Sequence, residues 1–342
     1  MSKILRLSKR ILKGVIAPIL FLTIRIQSIF GQRKRRRTIN KNSKKIVYIG
    51  HSYHDKTKST AFLIDYLREF YEVEVILDES WNGGDYPDLT FIDESYLAVI
   101  FFQNLPNYED LRKIKCENLI FFPMYDGVAK TLDFWDKYRD MKIINFSSTL
   151  NRLLTRWGFD SMAVQYFPKP HTFIPGHKDQ AFFWQRLTHI SIDIVAKLLG
   201  NNPVALHVHK AVDPNQHFQE PNLEQESQYR ITYSEWFETR EEMWNILKEK
   251  GIYIAPRETE GIGMSFLEAM AMGKAVVAVN NPTMNEYIKH GETGYLFDLK
   301  NPKSIDFTNI EQVQKNTHAF MRAGYEKWEI ERRRIIDFIE KP

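Results

Sequence analysis

The sequence predicts an α/β protein of two doubly wound, parallel-sheet domains with a cleft between them. Three observations carry the prediction. Apolar runs of buried-strand length alternate with amphipathic segments from Lys45 onward, the alternation breaks at Pro168 and Pro170 and then restarts, and 342 residues provide for two cores, at about 150 residues per domain. With 43% of residues hydrophobic and 26% charged, the chain can bury enough apolar surface to fold.

Charge divides the chain before any motif does. Fourteen of the 47 Lys and Arg fall in residues 1–45, ahead of the first acidic residue, Asp55. The remaining 33 basic side chains face 43 acidic ones, so the formal +4 joins a basic leader to a body of about −10. A basic leader on an acidic body suits an anionic lipid surface and argues against a nucleic-acid partner. Cys116 is the only cysteine, which excludes an intramolecular disulfide and a cysteine-rich zinc site and points to the cytoplasm.

Within the leader, Lys3, Arg6, Arg10 and Lys13 recur near helical period while Ile4, Leu5, Ile11 and Leu12 take another face, the pattern of an in-plane amphipathic helix. The apolar stretch from Gly14 ends at Arg25 and contains Pro18, short of the roughly 20 residues needed to span a bilayer. Where a signal peptide would show small residues, Arg33 to Arg37 form a polybasic run. Residues 1–44 are therefore expected to hold the protein peripherally on the inner face of the membrane.

Residues 45–170 read as the first domain. The run Lys45 to Gly50 is a strand, followed by a polar loop and an amphipathic helix over residues 59–70. Runs at 72–77, 97–102, 118–123 and 142–147 complete a parallel sheet. Ligands of such sheets sit at the carboxyl ends of the strands, which makes His51, His54 and Lys58 after the first strand, and Tyr125 and Asp126 after the fourth, candidates for chemistry. The first loop lacks the glycine spacing of a dinucleotide fingerprint, and no Walker sequence occurs.

Residues 171–325 restart the pattern, with strands over 181–186 and 203–209 and a helix closed by Gly200. Residues 213–228 read as an irregular polar stretch. Later come a helix from Arg240, the strand of residues 252–256, a loop holding Glu260, Gly261 and Gly263, a helix closed by Gly273, and the strand of residues 275–279. Gly261 and Gly263 let a ligand approach the amides of Met264 and Ser265 at the helix start, a site suited to a diphosphate without a metal. Glu260 precedes the helix and Glu268 lies two turns inside it, roughly 12 Å apart at helical rise. Such a pair can hold two ends of one elongated ligand.

The run from Glu260 to Phe297, EGIGMSFLEAMAMGKAVVAVNNPTMNEYIKHGETGYLF, resembles the signature of retaining glycosyltransferases of the GT-B fold, particularly family 4 (group 1). The resemblance implies two Rossmann-like domains. It gives Glu260 to the donor sugar and Glu268 to the ribose, and it places a downstream pattern on Glu286, Ile288, Gly291, Gly294 and Leu296. Arg186, at the end of a strand, would bind the diphosphate beside a second cation, His189 or Lys210. The family's active-site histidine falls near Tyr125 and Asp126, and its first-loop glycine pair is absent here. Residues 326–342 resemble the helix that crosses back to the first domain.

The function these residues imply is transfer of a sugar from a nucleoside-diphosphate sugar, with retained anomeric configuration and no metal or cofactor. Glu260, Arg186, Asp126 and His189 would be the catalytic set, with Gly261, Gly263, Met264, Ser265, Glu268 and Lys210 holding the donor. His51, His54, Tyr125 and Asp126 would face the acceptor, a lipid-linked sugar or surface-polysaccharide intermediate. Trp236 is a candidate border of the base pocket. A non-catalytic sugar-nucleotide-binding scaffold and a nucleotide-sugar epimerase are the alternatives.

Overall fold

A computed structural model describes residues 37–237 and 239–342, with Arg240 described by its backbone alone. The amphipathic helix and most of the polybasic run expected in the leader lie outside the described residues. Among those described, no helix is long and apolar enough to cross a membrane.

The first sheet contains β1 (Lys45–His51), β2 (Glu72–Asp78), β3 (Ala98–Phe102), β4 (Leu119–Phe122), β5 (Lys142–Asn145) and β6 (Ser161–Ala163). Their order is β2-β1-β3-β4-β5-β6, parallel throughout. The second contains β7 (His177–Trp184), β8 (Ala205–His209), β9 (Thr232–Ser234), β10 (Lys250–Ile254), β11 (Ala275–Val279) and β12 (Tyr295–Phe297). It too is parallel throughout, in the order β12-β11-β10-β7-β8-β9. Central strands such as β3 and β11 are buried at every residue, because helices cover both faces of a parallel sheet and leave no polar side. The three-residue strands β6, β9 and β12 are too short to show as apolar runs.

Two local differences from the sequence reading have plain causes. Residues 52–57, expected as loop, form a short helix. His51 Nδ1 accepts the backbone N–H of Tyr53 at 3.1 Å, supplying a cap where no apolar stripe marks a helix. The boundary drawn at residue 325 falls inside a 22-residue helix, Ile310–Glu331. Its buried stripe of Ile310, Val313, Thr317, Met321 and Trp328 keeps helical period through that point.

That helix and the next, Arg333–Glu340, return the chain to the first sheet. Trp328 packs against Phe62 and Tyr166, with ring centroids 6.0 and 5.1 Å away. The closing carbonyls of the last helix are capped from the first domain. Lys142 Nζ donates to Phe338 O at 3.0 Å and Ile339 O at 3.1 Å, and also to Lys341 O. Asn118 Nδ2 donates to Ile339 O at 3.0 Å. A cation at a helix C-terminus opposes the helix dipole, although burial lowers the Lys142 pKa to about 7.

The domains also meet through Glu286. Its carboxylate accepts Ser147 Oγ–H at 2.9 Å and the N–H groups of Ser148 and Thr149 at 2.7 and 3.0 Å. A second-domain carboxylate thus caps the first-domain helix Ser148–Arg156, satisfying its orphan N–H groups. Beside it, Gln165 Nε2 donates to Glu286 O at 3.0 Å and Tyr287 O–H to Tyr166 O at 2.9 Å. Glu286→Ala is expected to cost about 2–3 kcal/mol in chemical denaturation, because charge-assisted bonds are lost while their donors stay in the seam. A change below about 0.5 kcal/mol would contradict the role assigned to this contact.

Candidate functional site

The carboxyl ends of both sheets carry the candidate site residues, and the seam between the sheets brings two of them together. Glu260 and Gly261 follow β10, while Tyr125 and Asp126 lie in a short turn, Tyr125–Gly127, after β4. A Cβ added at Gly261 would lie 2.7 Å from Met124 Sδ and 3.0 Å from Asp126 Oδ1. Only glycine lets the loop after β10 come this close to the first domain.

Beyond Gly261 the loop turns into the helix Met264–Met272 through Gly263, whose φ is +81° and whose side of the cap carries no side-chain hydrogen bond. A Cβ at Gly263 would lie 1.9 Å from the Phe266 ring. The local sequence therefore places backbone at the helix start where the Met264 and Ser265 amides can face an anion. Glu268, within the helix, lies close enough to Tyr253 to act on its ionisation.

The cations assemble differently from the expectation. Arg186, two residues past β7, donates from Nε to Asp213 Oδ1 at 2.8 Å. Arg257, three residues past β10, donates from Nη2 to Asp213 Oδ2 at 2.6 Å. The second cation beside Arg186 is thus Arg257, which the sequence reading passed over. His189 instead pairs with Glu258 at 3.4 Å, both about half exposed. Lys210 turns to Glu220 at 3.1 Å and over the Tyr233 ring at 4.2 Å. An aromatic neighbour and a carboxylate satisfy that ammonium.

The cleft shifts two carboxyl groups. Burial pushes the Glu260 pKa up to about 7, further raised by Asp126 and Asp213 and opposed by Arg257 and Arg186. Asp126 is exposed on one side, yet the protein crowding its other side raises its pKa against the attraction of Arg257 and Lys130. Burial raises the Tyr125 hydroxyl as well, and Lys130 Nζ sits 4.5 Å from that ring. Among the described residues, no group of three or more His, Cys, Asp or Glu is placed to hold a metal ion.

At the ends of β1 and β2, His51 stacks on His54 at 5.2 Å and on Trp81 at 4.4 Å. Trp81 was not singled out from sequence, since nothing marks a lone tryptophan in a polar loop. Its Nε1–H donates to Ser52 Oγ, which donates to Glu79 Oε2, each at 2.8 Å. The indole is thereby fixed while staying exposed. Burial lowers both histidine pKa values, that of His54 to about 4, so both rings are neutral at pH 7. Lys58 pairs with Asp55 at 2.9 Å, both side chains exposed.

Trp236 is largely exposed, with its ring 6.3 Å from Trp184. Trp184 in turn carries the Arg186 guanidinium at 4.7 Å. Trp184 thus stands between Trp236 and the Arg186 guanidinium.

Comparison with known proteins agrees with this architecture. Residues 218–324 match the family model described as Glycosyl transferases group 1. No curated protein matches the chain in sequence. Among solved structures, a glycosyltransferase from Rickettsia africae is similar with a TM-score of 0.61 at 13% identity, covering 87% of this chain and 98% of that one. Sucrose-phosphate synthase from Thermosynechococcus elongatus gives 0.57 at 13%, covering 86% and 98%. HepE from Anabaena, solved in complex with UDP and glucose, gives 0.55 at 12%, covering 86% and 99%. The two parallel sheets form the GT-B fold of glycosyltransferases.

Proposed function

We propose that this chain is a group 1 glycosyltransferase that moves a sugar from a nucleoside-diphosphate sugar to an acceptor hydroxyl, retaining the anomeric configuration. The observation that carries this reading is the pair of guanidinium groups, Arg186 and Arg257, joined on Asp213 and acting electrostatically on Glu260. HepE, which shares the fold, holds UDP and glucose, and this supports a nucleotide-sugar donor.

In this reading the diphosphate lies against the two arginines and the amides of Met264 and Ser265. Glu268 takes the ribose hydroxyls and Glu260 the hydroxyls of the transferred sugar, with Asp126 across the seam. As the bond from the anomeric carbon to phosphate breaks, negative charge grows on the leaving oxygen. Fixed guanidinium and amide donors stabilise that charge without reorganising. The leaving phosphate oxygen takes the proton of the acceptor hydroxyl, which attacks from the same face, so configuration is retained. Neither a metal nor an organic cofactor is assigned a step.

The neutral, aromatic surface of His51, His54 and Trp81 suits a sugar ring of the acceptor, whose C–H face packs on the indole. With the basic leader, the acceptor class that fits is a lipid-linked sugar or surface-polysaccharide intermediate at the cytoplasmic face of the membrane. Removing residues 1–36 is expected to release the protein from anionic vesicles at physiological salt while sparing turnover of a soluble acceptor. Unchanged vesicle binding would contradict the leader's part.

Donor binding is tested by thermal shift with UDP-, GDP-, ADP- and dTDP-sugars. One base series should stabilise the protein by about 2.7 kcal/mol at 100 times its Kd. No shift with any of them would sink the reading.

A further inference from the structure

We infer that Asp213 is a positioning residue that braces two arginines for a diphosphate, an inference that rests on the donor-binding reading above. Its carboxylate splits between two partners, one oxygen to Arg186 Nε at 2.8 Å and the other to Arg257 Nη2 at 2.6 Å. The three residues come from the loops after β7, β8 and β10, and these strands are neighbours in the second sheet. One carboxylate thus ties together three adjacent strand ends.

The loop that presents Asp213 is itself fixed. Asp213 N–H donates to Arg186 O at 3.0 Å. Thr188 N–H donates to Gln216 Oε1 and His217 N–H to Thr188 Oγ1, both at 2.9 Å. Gln185 Nε2 donates to His217 O at 3.3 Å. From the other side, the Trp184 ring supports the Arg186 guanidinium at 4.7 Å. Asp213 and both arginines are each only about a fifth exposed, so solvent does little to screen them.

Two guanidinium groups on one carboxylate would repel each other if that carboxylate were removed. With it in place, each arginine gives up one N–H and keeps four for a ligand. The cluster carries a net charge of +1, which two or three negative charges on a diphosphate reverse on binding. Two opposed effects therefore meet at Asp213. Its charge subtracts from attraction for the ligand, while its geometry holds both forks where the ligand needs them. We assign it to the second, because the bond lengths and the fixed loop describe a brace.

These effects predict opposite signs, and inorganic pyrophosphate reports the sign without any knowledge of base, sugar or acceptor. Calorimetric titration of the full chain with pyrophosphate is expected to show binding weakened tenfold or more in Asp213→Asn. Asp213→Glu, which keeps the charge on a longer arm, should recover part of the loss. In turnover, Asp213→Asn should lower kcat as well as raise the donor KM, since the forks act on charge that grows in the transition state.

Equal or tighter pyrophosphate binding by Asp213→Asn would overturn the inference, and so would absence of pyrophosphate binding by the unaltered chain. If Asp213→Asn fails to fold, Asp213→Glu decides: full pyrophosphate affinity overturns the brace, and loss of affinity in a folded protein upholds it. Failure of sugar transfer with intact pyrophosphate binding would overturn the proposed function and leave the brace standing.

Discussion

Glu260→Gln is expected to lower kcat/KM for the donor by about 10²–10³-fold and to raise the stability of the free protein above pH 7. A carboxylate accepts two charge-assisted hydrogen bonds from sugar hydroxyls, whereas an amide offers one weaker acceptor and a misplaced donor. The stability gain follows from the raised pKa, about 7 in the folded chain against an ordinary value of 4.5. Between those values the folded state binds more protons than the unfolded state. Stability therefore falls as pH rises through the window.

The charged carboxylate costs up to about 3 kcal/mol above pH 7, and glutamine removes that cost. Denaturation midpoints of the two proteins should converge near pH 4 and separate by pH 8, with the variant higher. In turnover, kcat/KM of the unaltered enzyme should fall as pH drops through about 7, because a protonated Glu260 no longer accepts from the sugar. That limb should vanish in Glu260→Gln. Full activity in the variant, or lower stability at pH 8, would contradict the part given to this residue.

Arg257→Met is expected to reduce kcat by about 10²–10³-fold, with a smaller rise in donor KM. In the proposed reaction the guanidinium would oppose charge that is larger on the leaving phosphate than in the bound donor, so its loss should weigh more on the transition state than on binding. Arg257→Lys should restore little, since a single ammonium cannot hold Asp213 Oδ2 and reach a phosphate oxygen in a fixed fork. Steady-state kinetics of both variants, with Arg186 and Asp213 intact, decide the matter. A kcat within threefold of the unaltered enzyme would remove Arg257 from the site.

The parts of this site legible from sequence are those that local backbone chemistry encodes. Gly261 and Gly263 ahead of a helix announce places where a side chain would not fit, and each has a neighbour inside the space of a Cβ, Met124 and Asp126 at Gly261 and the Phe266 ring at Gly263. Continuous apolar runs announced the parallel sheets because strands such as β3 and β11 are buried on both faces. Pairings across the fold were not legible. Arg257 lies in the very loop that holds Glu260, yet its partnership with Arg186 depends on an aspartate 44 positions away, in a stretch read as irregular.

His189 and Lys210 looked equally able to supply the second cation. Sequence could not show that Glu258 and Glu220 would engage them. Glu286 sat inside a recognised pattern, but its capping of a helix 137 to 139 positions earlier required the two domains to be docked. The last helix was placed too late because its stripe includes Thr317, a polar residue that is nonetheless fully buried.

The most direct test of sugar transfer is to follow donor and product together. The full chain is incubated with each of the UDP-, GDP-, ADP- and dTDP-sugars and an acceptor preparation of lipid-linked saccharides. Release of nucleoside diphosphate and the anomeric configuration of the new glycoside are read by NMR. One donor should be consumed in proportion to acceptor, giving a product with the donor's anomeric configuration. Inverted product would contradict the retaining mechanism. Conversion of the donor to its epimer without diphosphate release, or binding with no turnover of any donor, would contradict transfer itself.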